Sequence, residues 1–235
     1  MISQFTSCAQ CIIVVTVNVY ATINARLESA EMVRRYCDKI EDTGAGNPFQ
    51  CHQGFPGDAR IRRAGGADVP IHELPPFLRV LLVMDGTVTK ILEAYFWEPV
   101  EVVTLRQEFV PAERPIPWLR VDPGERVLVR RVHLSGVESK RVYAAAFSVI
   151  RTQLVPEAFR QQLIDRRIGI GVLIRDSGME SYREVLEVGI EPEDGNNAPT
   201  LAPKKSDLVF RTYRIIIDGK PVILITERFP LHLYG

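Results

Sequence analysis

Residues 208–229, LVFRTYRIIIDGKPVILITERF, decide the fold. Two runs rich in β-branched and aromatic residues flank Asp218-Gly219, and Asp-Gly between such runs is a strong hairpin signal. In the second run, strand alternation puts Ile223, Ile225, Glu227 and Phe229 on one face. Val222, Leu224, Thr226 and Arg228 take the other. In the first run, Phe210, Thr212, Arg214 and Ile216 line up, so Arg214 repeats the pattern of Glu227, one charge in an otherwise apolar row. Arg211, off that row, is expected to face solvent. Either the strand has ended by Glu227, or an apolar face carries a charge for a purpose.

Working back from the hairpin, YREVLEVGI (182–190), RVYAAAFSVI (141–150), RVLVRRVHLSG (126–136) and VEVVTLRQEFV (100–110) read as further strands. Pro156 opens a helix, PEAFRQQLIDRR. Pro75 and Pro76 open another, stopped by Asp85-Gly86, and Thr87 can cap a third, VTKILEAYF. The count is about six strands with helices before and between them, an α+β fold on a six-stranded antiparallel sheet. Gly169 and Gly171 in GIG lack the third glycine and the preceding strand of a phosphate loop, and read as a close-approach turn.

Alternation within 126–136 sets Leu128, Arg130, Val132 and Leu134 on one face, with Val127, Val129, Arg131 and His133 on the other. Arg130 thus has aliphatic residues on either side, where an unpaired guanidinium costs several kcal/mol. Charges on apolar strand faces suggest a pocket dug into the covered side of the sheet. The alternative is that Arg130 and Glu227 pair with each other as a buried bridge.

The chain has 235 residues, 46% hydrophobic and 25% charged, enough for a substantial core. Twenty-nine basic residues balance 29 acidic ones, so no bulk field holds nucleic acid or an anionic membrane. The apolar run CIIVVTVNVYATINA is too short and polar to span a bilayer. It also lacks the basic residues that precede a signal segment, so a cytoplasmic location is expected. Residues 1–73 mix a β-like run, a helix candidate in ESAEMVRRYCDKI and the Gly- and Pro-rich GAGNPFQCHQGFPGDARIRRAGGAD. They are expected to form an extension ahead of a domain at 74–235. Cys8, Cys11, Cys37 and Cys51 all fall in that extension, and Cys8-x-x-Cys11 has no second ligand pair to complete a zinc site. His52, His72, His133 and His232 are scattered, and no metal is expected.

The order DGTVTKILE, VLVRRVHLSG, AAFSVI, IGIGVLI, YREVLEVG and FRTYRIIIDGKPVILITERF resembles the chorismate pyruvate-lyase superfamily over residues 74–230, most specifically in G-K-P-x-x-x-x-T-E-x-F. The resemblance implies a six-stranded antiparallel sheet whose helical flaps bury an aromatic, carboxylate-bearing small molecule. It implies pyruvate removal from chorismate to give 4-hydroxybenzoate, without metal or cofactor. In its terms Arg130 binds the ring carboxylate and Glu227 meets the ring hydroxyl. Val88 and Ile170 belong to the two flaps. Arg214, from its place in the apolar row of the hairpin, is expected as a further binding residue. Apolar walls would raise the pKa of Glu227 toward proton-transfer work.

Two departures leave substrate and reaction open. Phe147 stands where relatives carry a charged residue, and Ile168-Gly169-Ile170 replaces a proline-containing flap. A relative recruited to another secondary-metabolite substrate therefore stays in view. So does a sensor domain of the GntR-regulator type, although residues 1–70 offer one helix rather than a winged helix-turn-helix. The oligomeric state is not readable from the sequence.

Overall fold

The hairpin forms as the sequence requires. In the computed structural model, β7 (Asp207–Ile217) and β8 (Lys220–Pro230) are joined by Asp218 and Gly219, both left-handed at φ 49° and 71°. Two such residues in a two-residue loop match the twist of the strands they connect.

The described residues are 32–34, 49, 57–165, 169–192 and 207–235. Contacts divide the chain into Met1–Asp38, of which only 32–34 is described, as helix, and Lys39–Gly235. All that follows concerns the second unit. The four cysteines and most of the N-terminal helix candidate lie outside the described residues.

Around the hairpin, β3 (Val100–Pro111), β4 (Arg126–Gly136), β5 (Val142–Ile150) and β6 (Ser181–Pro192) complete six long antiparallel strands. The expected six-stranded antiparallel sheet needs correction at one edge. Two short strands, β1 (Arg60–Arg63) and β2 (Val69–Pro70), extend it to eight in the order β2-β1-β6-β7-β8-β5-β4-β3. The β1–β6 pairing is parallel, so the sheet is mixed. These strands come from residues read as linker. Four residues amid glycines carry too little alternation to register as a strand. Arg63 Nε and Nη2 donate to the Asp207 carboxylate at 3.1 and 2.8 Å, with both residues buried.

Four helices cover one face. α1 (Pro76–Val83) and α2 (Val88–Phe96) bury Leu78, Leu81, Leu82 and Leu92 against Val209, Phe229 and Leu134. Each fully buried leucine contributes about 1.5–3 kcal/mol. α3 (Glu157–Asp165) and α4 (Ile170–Ser177) bury Phe159, Leu163 and Leu173 against Leu128, Ile150 and Ile223. The opposite face buries Phe147, Val149 and Leu224, and the segment with Trp118 and Leu119 packs on β8 there. The two helix pairs leave a gap over the middle of the sheet.

Candidate active site

That gap is a cavity of about 60 Å³. Its floor is Arg130, Val132 and Leu134 of β4, Ala146 and Ser148 of β5, Ile225 and Glu227 of β8, and Tyr213 and Ile215 of β7. Its roof is residues 86–89 and 169–171, the two turns that open α2 and α4. Val88 and Ile170 are the first residues of their helices, so two N-termini with their unbonded N–H groups converge on one space. Thr87 takes the expected N-cap position but makes no cap bond. The roof turns approach one another closely, because a Cβ on Gly171 would meet Thr87 at 3.2 Å. This is the close approach that GIG suggested.

Arg130 lies where alternation placed it and is 1% exposed. Nη2 donates to Thr104 Oγ1 at 3.3 Å, while Nε has no hydrogen-bond partner. No carboxylate among the described residues pairs with it. Burial lowers its pKa, the sign of a desolvated, uncompensated cation. Such a group in a cavity wall calls for an anion from outside the chain.

Glu227 also lines the cavity, but its partner is neither Arg130 nor an apolar wall. Oε2 accepts from Arg211 Nε at 2.8 Å, and Oε1 accepts from the Tyr213 hydroxyl at 3.0 Å. The sequence reading sent Arg211 to solvent, yet it is 0% exposed. Its Nη1 donates to the carbonyls of Leu81 and, at 2.6 Å, Met84, at the C-terminal end of α1. A guanidinium suits these orphaned carbonyls and the negative end of the helix dipole. Burial, with Glu227 second, raises the Tyr213 pKa and keeps the phenol a donor.

A one-residue register shift explains the misplacement. A two-residue turn pairing Ile217 with Lys220 would, without interruption, set Glu227 opposite Phe210, on the row of Thr212 and Arg214. The ladder slips between Ile215 and Ile216, and Glu227 instead pairs with Arg211. A slip of one exchanges the faces. Arg214 is thereby taken to the opposite face, where it binds Glu184 at 2.7 Å and the Trp118 carbonyl at 3.1 Å, and it does not line the cavity. Pro221 was the available signal, since a proline inside a central strand marks an irregular ladder. Phe147 also faces away from the cavity, opposite Thr226 on the Thr212 side. Phe147 therefore does not line the cavity.

The family model for chorismate pyruvate-lyase, Rv2949c-like, matches residues 82–234, a span holding every cavity residue. The chain belongs to this family. The chorismate pyruvate-lyase of Mycobacterium leprae is 33% identical over 166 residues, covering 68% of this chain and 76% of its own. That of Mycobacterium tuberculosis is 28% identical over 167 residues, covering 69% and 84%. Among solved structures, PhnF from Mycobacterium smegmatis aligns with a TM-score of 0.46 at 11% identity, over 63% of this chain and 65% of that one. A GntR-family transcriptional regulator from Bacillus cereus aligns at 0.44 and 14%, over 58% and 94%. No helix among the described residues is long and apolar enough to cross a membrane. Among those residues, no group of three His, Cys, Asp or Glu side chains is placed to hold a metal ion.

Proposed function

We propose that the protein removes pyruvate from chorismate to give 4-hydroxybenzoate. The observation that carries this reading is a buried Arg130 without a carboxylate partner, in the wall of the cavity that Glu227 also lines, within a chain of the chorismate pyruvate-lyase family. Chorismate brings a ring carboxylate, a ring hydroxyl and an enolpyruvyl ether. Arg130 would take the ring carboxylate through charge-assisted bonds, with Thr104 fixing the guanidinium. The N–H groups at Val88 and Ile170 add positive potential from the roof.

Glu227 would accept a hydrogen bond from the ring hydroxyl. Arg211 and Tyr213 hold one carboxylate oxygen each, so its orientation is set before substrate arrives. In the reaction the ether C–O bond breaks, and the C–H electron pair of the adjacent hydroxyl-bearing carbon enters the ring. The proton ends on the methylene carbon of the departing enolpyruvate, which becomes pyruvate. Aromatisation supplies the driving force. The protein's share is to hold the substrate and guide that proton, with Glu227 as its carrier.

Incubating the full chain with chorismate and following pyruvate and 4-hydroxybenzoate together tests this reading. Equimolar appearance of both is expected, and their absence above the uncatalysed background overturns it.

A further inference from the structure

A second cation lines the same cavity. Arg183 of β6 is half-buried, and its one hydrogen bond among the described residues goes from Nη1 to the carbonyl of Asp85, at the edge of the roof turn that opens α2. No carboxylate among the described residues pairs with it. Arg183 sits opposite Ile215, and Arg130 opposite Ser148, on the same face of the sheet but four strands apart. Four strand spacings put their backbones on the order of 19 Å from each other, and two arginine side chains aimed into one cavity close much of that gap. Arg183 is near enough to Tyr213 for its charge to act on the phenol.

Charge accounting gives the pair its meaning. Three guanidiniums, Arg130, Arg183 and Arg211, stand in or directly behind the cavity wall against one carboxylate, Glu227, which Arg211 already matches. The site is therefore short of two negative charges, one deep at Arg130 and one toward the edge at Arg183. Resting on the lyase reading, we infer that Arg183 binds the second carboxylate of a dianionic substrate, the one on the enolpyruvyl side chain, and so selects dicarboxylates over monocarboxylates. Of the two products, 4-hydroxybenzoate retains the carboxylate assigned to Arg130, and pyruvate the one assigned to Arg183. Each product keeps one of the two anchors that held the substrate.

The test uses the full chain and two unreactive probes, 3-(carboxymethoxy)benzoate and its monocarboxylate counterpart 3-methoxybenzoate, with binding read by calorimetry. The native protein is expected to prefer the dicarboxylate by about ten- to a hundredfold, in line with one added charge-assisted contact. Arg183→Gln should erase that preference while leaving 3-methoxybenzoate affinity within about twofold, and Arg183→Lys should keep part of it. With chorismate, Arg183→Gln should raise KM more than it lowers kcat. Equal affinity of the native protein for both probes overturns the inference, as does a preference that survives Arg183→Gln. These binding measurements need no turnover. Absent lyase activity with an Arg183-dependent preference would sink the proposed reaction and leave this subsite standing.

Discussion

Arg130 and Arg211 are both large cations shut away from water in the same sheet, and their surroundings could hardly differ more. Arg211 is matched by the Glu227 carboxylate and by two helix-end carbonyls. Arg130 has, among the described residues, a threonine hydroxyl and no counter-charge, with Nε unpartnered; Arg211 also leaves one nitrogen, Nη2, unpartnered, but its charge is matched. Burial alone therefore says little about what an arginine is for. A buried cation whose partners lie within the chain belongs to the folded state. One whose partners are missing has been desolvated in advance for something the chain does not supply.

The contrast can be broken, starting with the largest expected loss. Arg63 is a third buried arginine and, like Arg211, a paired one, so a chain starting at Leu74 would take the Arg63 guanidinium away from Asp207. It would also discard the buried Ile61, Val69 and Ile71. Such a chain should lack a cooperative thermal transition, in contrast to the self-sufficient domain expected from residue 74 onward. A chain starting before β1, near Asp58, should melt cooperatively.

Arg211→Met leaves Glu227 buried and uncompensated, and should cost about 3–5 kcal/mol in denaturant unfolding. Arg211→Met combined with Glu227→Leu should recover much of that loss, which a direct role of Arg211 in ligand binding would not produce. Arg130→Met, by contrast, strands no carboxylate. Its stability should stay level or rise, while 4-hydroxybenzoate affinity falls by about 2–5 kcal/mol. A melting loss for Arg130→Met as large as that for Arg211→Met would erase the distinction.

The smallest effect belongs to a carboxylate outside the sheet. Hydrogen bonds from the Tyr143 hydroxyl, foremost, and from Ser139 hold the Glu98 pKa down to about 2. Its contribution to stability is therefore fully present above the ordinary carboxylate range and fades as pH falls toward 2. Glu98→Gln should flatten that part of the acid stability profile and leave neutral pH nearly unchanged.

The sequence made Arg130 legible and hid Arg211, for one physical reason. β4 keeps strict alternation from Leu128 to Leu134, its one slip against β5 coming just afterward, so a face read from the chain is the face that forms. In the hairpin, each strand was read correctly by itself. Which rows of the two strands share a face, however, depends on the slip at Ile215 and Ile216. That slip sent Arg214 away and brought Arg211 and Tyr213 to Glu227. Strand positions, the Asp-Gly turn and the starts of α1 and α2 followed from turn and capping chemistry local to a few residues. β1 and β2 did not, because their stability comes from β6 and Asp207, more than a hundred residues downstream.

The close approach of Thr87 and Gly171 has a kinetic consequence. A cavity of 60 Å³ holds a handful of water molecules and no benzene ring, for which pockets of several hundred Å³ are usual. If an aromatic guest enters by the parting of those two turns, its capture rate should level off at a ceiling set by the protein as its concentration rises. Aromatic guests of similar size should share that ceiling. A bulkier residue at Gly171, wedging the turns apart, would raise it and shorten the stay of whatever is inside.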